Sequence, residues 1–422
     1  MTLRSMAATR ATTTITLNPS ADRKQAAGRN TKWKLGEPAP TLLRQRIPEL
    51  DGIRGVAIGL VLLWHFVFGG MEAAAPGTFW SYFKAAGRLT WSGVDLFFVL
   101  SGFLIGGILL DTRDSPNYFR TFYTRRFFRI VPLYLAVLCV ALAGNRGSID
   151  PQIPTFSYFA FLQNFWMAQF ATLGVLLAPT WSLAVEEQFY LTLPSIVRFV
   201  GRRHLGYVLA AGILAAPGLR MLCFHLWPAN EIAPYVLMPC RADALLLGAI
   251  GALAIRNARA ARWMKDNGGT MFALLMLFAA GALVLTKYSP THHFALTSVG
   301  YSWLASLYLC AILCVVTHPE TWLARWMRTL WLGWLGSIAY GVYLVHQMAA
   351  IGIFRILGHS EYFYLRRPAN AVALCIALLV TLALCSLSWR YFEKPLVQFG
   401  HRSAKSTPHS EKHPGLEDLP LT

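Results

Sequence analysis

Arg54 and His65 stand eleven residues apart in a run that is otherwise almost wholly apolar, Gly55 through Trp64. On an α-helix eleven steps of ~100° return to within about 20° of one face, with the two groups roughly 16 Å apart along the axis. An ionisable side chain inside lipid is costly, about 2.5–3.5 kcal/mol for Arg on insertion scales, so one that is present faces a polar interior by default. The pair predicts a cation at the first turn and an imidazole near mid-membrane, both directed at one pocket. That is the outline of a reaction centre within a bilayer.

A second polar concentration is Trp181-Ser182-Leu-Ala-Val-Glu186-Glu187-Gln188-Phe-Tyr190. Two adjacent carboxylates and an amide in one apolar helix are expensive together, and neighbouring side chains diverge by ~100°, so they face different partners. Glu186 shares a face with Ser182 and Tyr190, each four positions away, and is the expected inward carboxylate. A third is the basic aromatic segment from Tyr118 to Pro132, with Arg125, Arg126 and Arg129. Arg forks suit phosphate and aromatic planes can stack a base, so this segment reads either as a topology anchor or as a cytosolic site for a phosphorylated nucleotide cofactor. Asp95 lies one turn inside its span and is open to a cation from another helix or to a polar substrate. Arg241 and Asp243 are two apart and point to separate partners, Arg220 is isolated in its span, and His346 reads either as a hydrogen-bonded core residue or as a catalyst. Glu393, in Trp389-Arg-Tyr-Phe-Glu-Lys-Pro395, is placed to pair with a cytosolic Arg, and Pro395 to stop the helix.

The elements that must hold these groups are membrane spans. The chain is 55% hydrophobic and 14% charged, against ~25% charged in soluble domains, and its mean hydropathy is +0.44. Ten apolar runs are each long enough to cross the hydrocarbon core: roughly 52–71, 91–111, 129–145, 180–197, 205–225, 240–255, 271–287, 298–317, 331–354 and 370–389. The expected fold is all-α, a polytopic transmembrane helix bundle of about ten spans with both termini cytoplasmic. The net charge of +18 is a topology signal rather than a nucleic-acid footprint. Inner connections hold Arg113, Arg120, the Arg125–Arg129 group, Arg198, Arg202, Arg203 and the cations from Arg256 to Lys265, then Arg325 and Arg328. Outer ones hold half as many: Lys84, Arg88, Arg146, Lys287, Arg355, Arg366 and Arg367. Residues 1–46 are expected to be a disordered basic cytosolic tail without the apolar core of a signal peptide, residues 47–398 the membrane domain, and 399–422 a second disordered tail. Seven cysteines lie in or beside spans with no C-x-x-C pair, so neither a disulfide framework nor a metal site is expected.

In this order the segments resemble the acyltransferase-3 family of integral membrane O-acyltransferases. The likeness runs over about residues 48–398: Leu50-Asp-Gly-Ile-Arg54 with the R-x10-H pair, Gly93-Val-Asp-Leu-Phe-Phe-Val-Leu-Ser-Gly-Phe, Arg125-Arg-Phe-Phe-Arg-Ile-Val-Pro, Trp181-Ser-Leu-Ala-Val-Glu-Glu-Gln-Phe-Tyr-Leu, Arg241-Ala-Asp-Ala-Leu, Tyr343-Leu-Val-His346 and Tyr391-Phe-Glu-Lys-Pro. It implies transfer of an acyl group, usually acetyl, from cytosolic acyl-CoA to a hydroxyl of an extracytoplasmic carbohydrate or glycolipid. The protein would be multi-pass in the cell membrane, the cytoplasmic membrane in a bacterium. Arg54 and His65 become the central pair, and Arg126 and Arg129, with Arg125 beside them, the acyl-CoA contacts. His65 would take the acceptor's proton, a carboxylate such as Glu186 or Glu187 would orient it, and Arg54 would meet either the thioester oxygen or a CoA phosphate. Trp181, Ser182, Gln188, Tyr190, Asp95, Arg241, Asp243 and His346 remain polar positions for substrate or structure. The ninth span departs from many relatives by carrying Gly341 and Gln347 where they have Ser and Trp or Tyr, and the esterase-like C-terminal domain of some relatives is not expected. A proton-coupled secondary transporter could also use buried His, Glu and Arg; it predicts duplicated halves, and no such repeat is visible. A non-catalytic scaffold leaves the fourth-span carboxylates without a purpose.

Overall fold

The computed structural model describes residues 47–71, 75–144, 150–285, 294, 296–358 and 368–405. The expected N-terminal tail lies outside these residues, as do Arg146, Lys287, Arg366, Arg367 and the chain after 405. Ten long helices carry the fold: α1 Pro48–Leu63, α2 Gly93–Thr112, α3 Tyr118–Gly144, α4 Thr180–Phe199, α5 Arg202–Leu226, α6 Met238–Arg256, α7 Gly268–Leu285, α8 Tyr301–Thr317, α9 Leu330–Ile356 and α10 Pro368–Ser388. Each expected apolar run corresponds to one of them, because lipid leaves a spanning backbone no hydrogen-bond partner but its own helix. Among the described residues nine helices are long and apolar enough to cross a membrane. The remaining one, α4, is interrupted by Glu186, Glu187 and Gln188. The chain is a multi-pass membrane protein.

Two close crossings order the bundle. α1 lies against α9 at Gly336, where a Cβ would stand 1.9 Å from Asp51 O. α2 lies against α6 at Gly248, where it would stand 2.0 Å from Val99 O. Neither backbone contact survives a side chain, and such small-residue crossings are how apolar helices associate where lipid is as apolar as they are. α2 also packs on α1 and α4, and α3 reaches both α2 and α9.

Three local features differ from expectation. The Arg-rich segment is no separate connection: α3 is a single helix of 27 residues with Pro132 inside it, roughly 40 Å long at 1.5 Å per residue, longer than the hydrocarbon core. α1 ends in a π-helical turn, Trp64–Phe68, in which Gly69 N donates to Trp64 O over 2.7 Å. Finally, the helix Lys394–Lys405 extends past residue 398, where an irregular tail was expected. Phe399 rests on the Phe128 ring, centroids 5.1 Å apart, which holds that helix to α3. Pro395 does not stop the chain; the helix continues through it, and a π-helical turn, Trp389–Glu393, directly precedes it.

Candidate functional site

α1, α2, α3, α4 and α9 enclose a cavity of about 220 Å³. Arg54 from α1 and Arg126 and Arg129 from α3 line it, and Glu186 is the only carboxylate among its lining residues. Arg126 and Arg129 reach it together because positions three apart share a helical face. Arg54 is steadied by Asp51, one turn earlier, at 2.6 Å. Arg125 points elsewhere, with its Nε buried and without a hydrogen-bond partner.

From α4, Ser182, Glu186 and Tyr190 all line the cavity, whereas Glu187 does not; Glu187 Oε1 is buried without a partner. The i, i+4, i+8 spacing is the whole cause, since every fourth residue returns to the same face. Two hydroxyl pairs stiffen the walls. Ser101 Oγ and Tyr190 OH are 2.5 Å apart, as are Ser182 Oγ and Tyr343 OH, and Tyr343 OH also reaches Pro179 O at 3.0 Å. Ser101 and Tyr343 were not singled out from the sequence, although each is a polar interruption of an apolar run.

Arg54 and His65 differ in their relation to this cavity. Arg54 lines the cavity, and His65 is absent from its lining. At most two of the eleven steps between them belong to the π-helical turn that begins at Trp64, so the two stay near one face and differ by roughly 16 Å of rise along the axis. His65 Nδ1 instead lies 2.9 Å from Val61 O, and its ring meets that of His346 edge to face, centroids 4.8 Å apart. Val61 O, rather than Glu186 or Glu187, therefore fixes the ring. A carbonyl can only accept, so Nδ1 carries the hydrogen and Nε2 of the neutral ring keeps a lone pair. Tyr343 connects the two regions: it lines the cavity, and its ring centroid is 6.1 Å from that of His346.

The remaining polar positions find partners within the bundle. Asp95 pairs with Arg241 in a fully buried ion pair, and the guanidinium lies over the Tyr301 ring at 4.2 Å. Asp243 pairs with Arg220 at 2.9 Å, again fully buried, and Ser302 Oγ donates to the same carboxylate over 2.5 Å. Trp181 packs on Tyr235, centroids 4.5 Å apart. Gln188 Nε2 donates to Phe161 O at 2.9 Å and to Asn164 Oδ1 at 2.8 Å, tying α4 to the preceding connection. Glu393 accepts from Ser388 Oγ at 3.0 Å, and Arg129 of the basic segment is close enough to act on its charge. A Cβ at Gly341 would stand 3.2 Å from Glu393 Oε1, so that departure from many relatives bears on Glu393 and not on His346. All seven cysteines are free thiols.

A family model described as an acyltransferase domain matches residues 47–390. The chain is 27% identical over 382 residues to the "Putative peptidoglycan O-acetyltransferase YrhL" of Bacillus subtilis, covering 85% of this chain and 56% of that protein. It is 26% identical over 384 residues to the peptidoglycan O-acetyltransferase OatA of Listeria monocytogenes, covering 85% of this chain and 57% of that one. The chain thus spans little more than half the length of these curated relatives. No solved structure matches it.

Proposed function

The chain belongs to the acyltransferase-3 family, and from that premise we propose that it is a membrane O-acyltransferase. Its donor is cytosolic acyl-CoA, with acetyl as the group moved. Its acceptor is a hydroxyl of an extracytoplasmic carbohydrate, with peptidoglycan the first to test because two relatives carry that word in their names. The protein sits in the cytoplasmic membrane with ten spans and both ends inside, as its Lys and Arg distribution predicts.

The observation that carries this reading is the convergence of Arg54, Arg126 and Arg129 on one cavity with a single carboxylate. Three guanidinium groups beside one carboxylate leave an excess of positive charge that favours an anion, and their forked donors match phosphate. A volume of about 220 Å³ is below the ~300–1,000 Å³ typical of pockets that take a whole ligand. The cavity therefore suits the acyl-pantetheine arm with a phosphate at the Arg end, leaving the nucleotide at the basic start of α3. Bound acyl-CoA supplies a thioester carbonyl carbon as electrophile. His65 Nε2 removes the acceptor's proton as the hydroxyl oxygen attacks, a contribution of about 10²–10⁴-fold for a well-placed base. Arg54, at the cavity wall, offsets negative charge on the donor. Glu186 balances Arg126 and Arg129 before the donor enters and holds them apart.

The direct test is the full-length protein in detergent with labelled acetyl-CoA and peptidoglycan fragments. Label recovered as a base-labile ester on the glycan is the expected result. Proton-coupled uptake into vesicles with no acyl transfer would overturn the reading in favour of a transporter.

Two further results are expected. Arg126→Ala or Arg129→Ala raises the KM for acyl-CoA about 10- to 100-fold, the effect of losing ~1.5–3 kcal/mol in a charged hydrogen bond, and leaves the acceptor KM nearly unchanged. Lys at either position rescues only in part, because an ammonium lacks the fork. Steady-state kinetics with each substrate varied in turn decides this, and unchanged acyl-CoA dependence in both variants would make the cluster a topology anchor. The α4 carboxylates are expected to separate in the same assay. Glu186→Gln lowers kcat/KM for acyl-CoA by about tenfold or more. Glu187→Gln changes it less, with any loss matched by a lower melting temperature. Loss of transfer in Glu187→Gln at normal stability, with Glu186→Gln still active, would reverse the assignment.

A further inference from the structure

At the end of the bundle read as cytosolic, a second pocket of about 400 Å³ lies between the starts of α1 and α9 and the turn after α10. It shares no lining residue with the donor cavity. Arg328, Lys394, Trp334 and Trp389 line it, and Asp51 is the only carboxylate among its lining residues. Asp51 is held by Arg54 at 2.6 Å, so its charge already has a partner. Arg328 donates to Glu49 Oε1 and to Pro319 O, each at 2.9 Å, which uses two of the five N–H donors of a guanidinium. The Lys394 ammonium makes no ion pair or hydrogen bond among the described residues. The pocket therefore holds one cation without a counter-charge and a second with donors to spare.

The rim of this pocket is apolar and bare. Leu330, one of its lining residues, is 92% exposed, and Trp322, Trp326, Trp331 and Trp334 are exposed as well. The Trp326 and Trp331 rings lie 6.3 Å apart between centroids, which draws the short helix Trp322–Met327 to the start of α9. Indole rings concentrate at the headgroup level of a bilayer, and basic pockets between spans on the cytoplasmic side suit anionic headgroups. A soluble anion would need the cations but not that rim. We propose that the pocket binds the phosphate of an anionic phospholipid of the cytoplasmic leaflet, with Lys394 and Arg328 as its cations and the Trp334 and Trp389 rings against the rest of the headgroup. A phosphate there shares the pocket with Asp51 and repels its carboxylate, which keeps that group turned to Arg54. Arg54 lines the donor cavity, so the bound lipid favours acyl-CoA binding, a consequence that rests on the acyltransferase reading.

The test strips the full-length protein of lipid in detergent, offers phosphatidylglycerol or phosphatidylcholine, and reads retained lipid by native mass spectrometry. Wild type is expected to retain phosphatidylglycerol about fivefold or more over phosphatidylcholine, the effect of one cation on an anionic headgroup. Lys394→Gln removes most of that preference and Lys394→Glu all of it. Both variants keep the melting temperature of wild type, because the side chain is exposed. Equal retention of the two lipids by wild type, or a preference unchanged in Lys394→Glu, overturns the proposal. Inorganic phosphate and adenosine 3′,5′-bisphosphate are added as competitors, and neither is expected to displace the lipid. Displacement by the bisphosphate would give the pocket to the donor's nucleotide, and displacement by inorganic phosphate would make it a soluble-anion site; either overturns the lipid. In nanodiscs the acyl-CoA KM of wild type is expected to be about fivefold lower with phosphatidylglycerol than with phosphatidylcholine alone, the low end of coupling between two sites, and Lys394→Glu loses the difference. Selective retention with no change in KM upholds the site and overturns its effect on Arg54. Absence of transfer by wild type overturns the acyltransferase reading, while selective retention still upholds the lipid site.

Discussion

His65→Ala is expected to lower acyl transfer by about 10²–10⁴-fold, the range a positioned general base contributes, while the protein still inserts and folds. The imidazole makes one local hydrogen bond, to Val61 O at 2.9 Å, and one ring contact with His346. It is partly exposed and joins no ion pair, so its removal costs little packing. Expression, detergent elution profile and melting temperature therefore stay close to wild type while transfer from labelled acetyl-CoA falls. His65→Gln should be as inactive, because an amide cannot hold the transferred proton. A residual rate above about a tenth of wild type in either variant would remove His65 from the chemistry and leave the carboxylates of α4 as candidate bases.

The second large effect concerns stability. Arg241→Leu alone is expected to destabilise the fold by about 3–5 kcal/mol, because it strands the Asp95 carboxylate in the bundle, and Asp95→Leu to do the same to Arg241. Both side chains are almost fully buried, and Arg241 has Tyr301, Tyr235 and Phe98 rings around it, so no water is at hand to solvate the survivor. The double replacement with apolar residues should recover most of the loss, since no charge is then left without its counterpart. Melting temperatures of the four proteins in one detergent decide the matter. Single variants as stable as wild type, with a raised acceptor KM, would instead make Asp95 and Arg241 part of the acceptor site.

Much of this molecule could be read from local pattern. Ten apolar runs correspond to ten helices, nine of them among the described residues long and apolar enough to cross a membrane, where lipid leaves the backbone no partner but its own helix. Ser182, Glu186 and Tyr190 line one cavity, and Glu187 points away from it, because helical geometry fixes which residues share a face before any neighbour is known. Arg126 and Arg129 follow the same rule. The Arg-rich segment was harder, since a basic stretch beside a span reads equally as loop or as helix; its contact with the helix Lys394–Lys405 is what the local pattern could not contain.

Arg54 and His65 mark the boundary of such reasoning. Their spacing fixes a common face but sets them roughly 16 Å apart along the axis, and which of them lines the cavity depends on the helices packed around each. The partners of buried charges were equally hidden. Asp95 finds Arg241 across 146 positions of sequence, and Arg220 and Asp243 find each other between neighbouring helices. His346 looked like a lone core histidine until α9 crossed α1 at Gly336 and set it against His65. Hydropathy and helical period are properties of a segment, so the sequence alone determined the spans, their polar faces and the Arg-rich end of the site. Which face meets which depends on packing between helices far apart in the chain. The histidine pair, the two buried ion pairs and the separation of His65 from the Arg-lined cavity were therefore decided only by tertiary structure.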